Sequence, residues 1–149
     1  MEEARKTVDL NGTYRFKLDT KGRVSLPAKF RKVLPEDLVV AVSLTGEFLM
    51  VFDSQESFNE WVDGVIIDKY GEFRRNNREH MLAKSYLKGS AFDVQCDSAG
   101  RILLPADVRD KVGIKRDVAI VGNTGFFEVW DDERRSAVSQ EFDPASLLG

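Results

Sequence analysis

Apolar and polar side chains alternate from residue 13 to residue 18, in a stretch rich in β formers, and this predicts a strand. Asp19-Thr20-Lys21-Gly22 follows, with Asp at the first place and Gly at the fourth, a type I turn signature. Residues 23–26 form a second short strand, with Val24 and Leu26 on one face and Arg23 and Ser25 on the other. Pro27 fits the first position of a short helix, whose apolar side is Phe30, Val33 and Leu34, and Pro35 ends it. Residues 38–44 and 47–53 make a hairpin about Thr45-Gly46. Asp53 or Ser54 can cap the next helix, in which Phe58, Trp61, Val62, Val65 and Ile66 recur at helical spacing. A second helix is predicted over 71–87, with Phe73, Met81, Leu82 and Tyr86 on its apolar side. Residues 1–12 are expected to be a flexible arm, a last helix starts near Asp131-Asp132, and 143–149 is a tail.

The strand–turn–strand–helix pattern occurs twice. Asp19-Thr20-Lys21-Gly22-Arg23-Val24-Ser25-Leu26-Pro27-Ala28-Lys29-Phe30-Arg31 returns 78 residues later as Asp97-Ser98-Ala99-Gly100-Arg101-Ile102-Leu103-Leu104-Pro105-Ala106-Asp107-Val108-Arg109. The same ungapped offset sets Val40-Ala41-Val42 against Val118-Ala119-Ile120, and Val51 against Val129. An internal repeat governs the fold. Each copy is too small to hold a core alone, and one Cys and one His leave no disulfide or metal staple. The two copies are therefore expected to complete each other's core as a pseudo-dimer within one chain. The expected division is 13–55 for the first repeat, 56–90 for a helical linker, 91–134 for the second repeat and 135–149 for the C-terminal end. Hairpin edges and the helix face of 58–66 would remain to pair between chains, giving a homo-oligomer.

Composition is ordinary for a globular protein, and no apolar run approaches a membrane span. The start, Met1 to Lys6, lacks an apolar signal region, so a cytoplasmic protein is expected, and a lone Cys fits a reducing compartment. The net charge of −3 argues against a nucleic-acid partner, but its distribution argues for one. Residues 13–33 carry Arg15, Lys17, Lys21, Arg23, Lys29, Arg31 and Lys32 against Asp19 alone, and 69–88 are also rich in Lys and Arg. Binding follows the local field rather than the total.

Candidate chemistry for an enzyme is thin. Cys96 and His80 could pair as thiol and imidazole. Cys96, however, stands where the first repeat has Leu18, a core strand position, and His80 lies in a polar stretch that predicts a surface residue. There is no phosphate loop, metal-ligand cluster or nucleophile elbow, so no catalysis, cofactor, metal or small-molecule substrate is expected. The Asp-x-x-Gly-Arg turn is sharper. It is either only a tight turn or a device that lifts an Arg to the protein's edge, where Asp orients it and it can fork onto guanine O6 and N7.

The segments 19–31 and 97–109 resemble the swapped-hairpin DNA-binding motif of the SpoVT/AbrB class. Two such copies about a basic linker containing Met81-Leu82-Ala83 resemble the MraZ family of bacterial transcriptional regulators of the division and cell-wall gene cluster. The resemblance implies an α+β, β-rich fold: a double swapped-hairpin AbrB-like barrel of two pseudo-twofold repeats with connecting helices. It implies a ring of protomers, nucleoid-associated, that binds G-rich direct repeats of double-stranded DNA in its own promoter as a repressor. Arg23 and Arg101, supported by Asp19 and Asp97, are the implied readers. The neighbouring Lys21, Arg15, Lys29, Arg31 and Arg109 complete the expected DNA-binding set. The second copy departs from the first in charge: Ala99, Asp107 and Asp110 replace Lys21, Lys29 and Lys32. Two other functions compete. One is an antitoxin-like protein-binding module, set against here by two folded repeats and a brief tail. The other is a non-specific architectural DNA binder, which would hold unrelated DNA nearly as well.

Overall fold

In the computed structural model, which describes residues 7–149, the strand before each Asp–Gly turn pairs with the other repeat rather than with its own. Repeat one supplies β1 (Thr13–Lys17), β2 (Arg23–Ser25), α1 (Ala28–Arg31), β3 (Asp37–Val42) and β4 (Leu49–Phe52). Two connecting helices follow, α2 (Gln55–Tyr70) and α3 (Arg78–Gly89). Repeat two replays the series as β5 (Phe92–Gln95), β6 (Arg101–Leu103), α4 (Ala106–Lys111), β7 (Asp117–Gly122) and β8 (Phe126–Asp131). Helix α5 (Asp132–Glu141) and an exposed 3-10 turn, Pro144–Leu148, end the chain. The fold is α+β, with two repeated hairpin and helix units.

The strands form a six-stranded sheet in the order β1-β7-β8-β4-β3-β5 and a two-stranded ribbon, β2-β6. In the ribbon Val24 faces Ile102, and in the sheet Met50 faces Glu128. Each of these pairs joins a residue to its own copy 78 positions on, so the pseudo-twofold axis runs through both. The sheet keeps open edges at β1 and β5, with no ladder between them, and the ribbon lies against both as a separate sheet. The closed barrel implied by the resemblance is therefore not seen.

The cross-repeat pairing also corrects the ungapped alignment. Asp37 faces Gln95 while Asp117 faces Lys17, and Leu38 faces Val94 while Val118 faces Phe16. β3 and β7 thus correspond at an offset of 80, although β4 and β8 keep 78. Repeat two has two extra residues before β7 and two fewer in the hairpin turn. A shift of two leaves every side chain on its original face, so the core tolerates it and hydrophobic pattern does not betray it.

Alternation fills the main core between sheet and ribbon. Tyr14, Phe16, Val40, Val51, Ile120 and Val129 point to it from the sheet, and fully buried Val24 and Ile102 point to it from the ribbon. Burial of each of those ribbon residues contributes roughly 1.5–3 kcal/mol, enough to hold so short a ribbon down. Phe30 of α1 closes this core edge-on to Tyr14 at 5.3 Å. Val33 lies beyond the end of α1 and is 54% exposed, so it does not share that face.

A second core lies on the sheet's other face. Ser54 caps α2, its hydroxyl accepting the Ser57 N–H at 3.1 Å, and Phe58, Val62 and Ile66 bury against Val39, Ala41, Met50 and Phe52. The 58–66 face is consumed within the chain and is not left for another protomer. α3 starts later than expected, because Gly71 ends α2 in the left-handed conformation and Asn77 caps the next helix. The face it buries also differs from the expected one: His80 and Leu87 are buried, whereas Met81, Leu82 and Tyr86 are exposed. His80 is thus not a surface residue. Its Nδ1 accepts the Arg74 N–H at 2.9 Å and its ring packs 4.4 Å from Tyr70.

Residues 7–12 are docked rather than free, and the rest of the expected arm, 1–6, lies outside the described residues. The Val8 N–H donates to Asp53 Oδ2 at 2.8 Å, the Leu10 N–H donates to the Asn123 carbonyl at 3.0 Å, and Leu10 is buried.

Candidate nucleic-acid interface

The turn before β2 is built by one carboxylate. Asp19 Oδ1 accepts the N–H groups of Lys21 and Arg23, each at 2.9 Å, and Oδ2 accepts Arg23 Nε at 2.7 Å. The Gly22 N–H closes the turn on the Asp19 carbonyl at 3.1 Å. The second turn repeats this bond for bond: Asp97 Oδ1 takes the N–H groups of Ala99 and Arg101, and Oδ2 takes Arg101 Nε at 3.1 Å. Spending Nε on the carboxylate orients each guanidinium and leaves its Nη groups as donors at the edge of the ribbon.

Pairing sets the two arginines together. Arg23 lies opposite Leu103 and Arg101 opposite Ser25, so these four residues share the ribbon's outer face, with the arginines at diagonal corners. Val24 and Ile102 face inward, which forces their neighbours outward. Asp19 reaches across as well: its Oδ2 is 3.8 Å from Arg101 Nη1. The Arg23 backbone N–H, helped by its guanidinium and the Lys21 N–H, holds the Asp19 carboxyl at about 2, against a smaller opposing effect of burial. Asp97 is lowered for the same reason, with the Arg101 backbone N–H as the leading cause.

The other sequence-predicted residues are distributed unevenly. Lys21 and Lys29 are exposed on the turn and on α1. Arg15 alternates with Tyr14 and Phe16, so it stands on the sheet's opposite face, where Nε donates to Asp132 Oδ1 at 2.9 Å. Arg31 and Arg109 are engaged with main chain. Arg31 Nη1 donates to the Ala99 carbonyl at 3.2 Å and Arg109 Nε donates to the Leu104 carbonyl at 2.9 Å. Sequence reasoning did not foresee these bonds or the Asp19–Arg101 contact. The signal was present in the repeat itself, since a twofold ribbon brings each turn to the other repeat's helix.

The two groups that could have formed a thiol–imidazole pair are engaged elsewhere in the fold. Cys96 lies just past β5, half-buried against the main core, and burial with the neighbouring Asp97 charge pushes its thiol up, away from the reactive thiolate. His80 is committed to the α2–α3 connection. Among the described residues no cluster of His, Cys, Asp and Glu could hold a metal ion, and no helix is long and apolar enough to cross a membrane.

Comparison with known proteins agrees with the doubled motif. The family model described as "MraZ protein, putative antitoxin-like" matches residues 10–61 and 87–148, one stretch on each repeat. A transcriptional regulator MraZ of Lachnoclostridium phytofermentans is 33% identical over 123 residues, covering 83% of this chain and 82% of the relative. One of Corynebacterium jeikeium is 36% identical over 130 residues, covering 87% and 86%, and one of Ureaplasma urealyticum is 32% identical over 122 residues, covering 82% and 81%. These relatives are regulators, not enzymes, and with both repeats matched at this level of identity the chain belongs to the MraZ family.

Proposed function

We propose that this chain binds double-stranded promoter DNA through the outer face of the β2–β6 ribbon. It acts as a sequence-specific repressor of the division and cell-wall gene cluster, its own promoter included. The observation that carries the reading is the pair of carboxylate-oriented arginines, Arg23 and Arg101, presented on one exposed face about a pseudo-twofold axis. Base edges are read by Nη donors in the major groove, at guanine O6 and N7, while Lys21 and Lys29 hold phosphate. Residues 13–55 and 91–134 are then the two DNA-binding repeats and 56–90 their spacer. A single ribbon makes few contacts, so protomers assemble into a ring that engages several G-rich direct repeats at once, on the nucleoid. No cofactor is needed.

Titration of the protein against the DNA upstream of its own gene, and against a scrambled duplex of equal length, tests the reading. Preference of about a thousandfold or more for the upstream DNA is expected. Equal affinity for the two would favour an architectural binder. No binding to either would favour the antitoxin-like reading carried by the family description. Light scattering tests the assembly, and a monomer of 16.9 kDa at micromolar concentration would overturn the ring.

A further inference from the structure

Each helix arginine crosses to the opposite repeat's turn. Arg31, at the end of α1, lies flat over Gly100: a Cβ there would collide with the Arg31 side chain at Cδ and Nη1, and that same Nη1 donates to Ala99 O. Arg109, on α4, packs over Gly22, where a Cβ would come within 3.0 Å of its Nη2 and 3.2 Å of its Cζ. Arg109 Nε donates to Leu104 O, and the Leu104 N–H in turn donates to Gly22 O at 3.0 Å. The two glycines adopt left-handed φ of 81° and 76°. They are therefore needed twice, for the turn and for the guanidinium that lies on it.

We propose that Arg31 and Arg109 are positioning residues that act across the pseudo-twofold axis, Arg31 bracing the turn that aims Arg101 and Arg109 the turn that aims Arg23, rather than ligands of phosphate. The inference deepens the DNA-binding reading and rests on it for its functional half. Its physical basis is commitment: Arg109 is half-buried and Arg31 solvent-exposed, but each guanidinium packs on a glycine and donates to a carbonyl, which holds it in place on the protein. Its consequence is coupling, because neither repeat's reading turn is complete without the other repeat's helix. The same logic accounts for an identical Arg at the same place in both copies, although the charges around it diverge.

The experiment uses the full chain and the variants Arg31→Ala, Arg31→Lys, Arg109→Ala and Arg101→Ala, with retained circular dichroism as the folding control. Without DNA, Arg31→Ala is expected to shift the backbone amide resonances of residues 98–101 and to leave those of 20–23 in place. Arg109→Ala is expected to give the converse. Shifts confined to the mutated residue's own helix would overturn the bracing. With DNA, Arg31→Ala and Arg31→Lys are both expected to lose preference for the upstream duplex by roughly tenfold, about as much as Arg101→Ala, with an unchanged salt slope. The lysine keeps the charge but not the planar fork. A near wild-type Arg31→Lys, with Arg31→Ala shallowing the salt slope by about one, would make Arg31 a phosphate ligand and overturn the proposal. Should the wild type show no preference for the upstream DNA, the regulatory reading fails, while the crossed amide shifts still decide the bracing.

Discussion

The two Asp–Gly turns have the same skeleton and different surroundings. Both place an Asp carboxylate over two backbone N–H groups and an Arg Nε, and both end on a left-handed Gly. Around that skeleton, Lys21, Lys29 and Lys32 of the first copy stand where the second has Ala99, Asp107 and Asp110. Even the polar contacts are not quite equal. The Arg23–Asp19 bond is 2.7 Å and the Arg101–Asp97 bond 3.1 Å, and of the two turn carboxylates it is Asp19 that meets the other turn's arginine. On the proposed DNA-binding reading, the difference separates two demands on such a turn. Geometry would aim the arginine and is kept in both copies. The surrounding charge would draw in the phosphates and is kept in one.

The largest effect that can test this separation is loss of the arginine itself. Arg23→Ala should cost roughly 1–3 kcal/mol per engaged subunit and relax the guanine preference. Arg101→Ala should cost less, because fewer neighbouring cations hold the duplex against it. Titrations at two salt concentrations measure both. Equal losses would mean that geometry alone sets the contribution of each repeat.

Next in size is a change that spares charge and attacks geometry. Gly22→Ala forces a side chain into left-handed backbone, at about 1–2 kcal/mol. Gly100→Ala should cost more in urea denaturation, since the new methyl must displace the Arg31 side chain outright, whereas over Gly22 it comes only to 3.0 Å from Arg109 Nη2 and 3.2 Å from the Leu104 carbonyl oxygen. Equal destabilisation would show that the brace over Gly100 contributes nothing to folding.

Smaller again is a transfer of charge between the copies. Lys21→Ala should weaken binding to every duplex alike and shallow the salt slope by about one, and Ala99→Lys should steepen it by about the same amount. If Ala99→Lys leaves the slope unchanged, the second turn does not approach phosphate.

Much of this comparison is legible in the amino-acid sequence itself. Turn residues, strand alternation, the Asp53-Ser54 cap candidates and the helix start near Asp131-Asp132 are local signals, and they placed the elements and the outward arginines. What was not legible is non-local. Nothing in the composition of β1 says that it pairs with β7, and the two-residue shift of β7 hides behind a period of two. Met81, Leu82 and Tyr86 share one side of α3 by spacing, but spacing does not say that the helix turns His80 and Leu87, rather than that side, to the core. Arg31 and Arg109 read as free cations because their partners are backbone groups and bare glycines of the other repeat, which no charge pattern reveals.

The smallest effect tests the asymmetry where it is finest, in the two carboxylates. Asp19 is held at about 2, below its ordinary 3.8, and Asp97 is also lowered. A lowered folded-state value means that the contribution of Asp19 to the turn is complete above the ordinary carboxylate value and disappears as the pH falls through about 2. Protonation therefore releases Arg23 only in strong acid, and DNA binding near neutrality should owe no pH dependence to this group. Carboxyl-carbon NMR across the acid range reads both titrations. Asp19 is expected to have the lower midpoint, because its Arg bond is shorter and because Arg101 Nη1 stands 3.8 Å from its Oδ2. Arg101→Ala should then raise the Asp19 midpoint across the axis, whereas Arg23→Ala should leave Asp97 where it is. Coincident midpoints, or an Asp19 indifferent to Arg101, would make the two turns electrostatically equal and leave the lysines as the only distinction between the repeats.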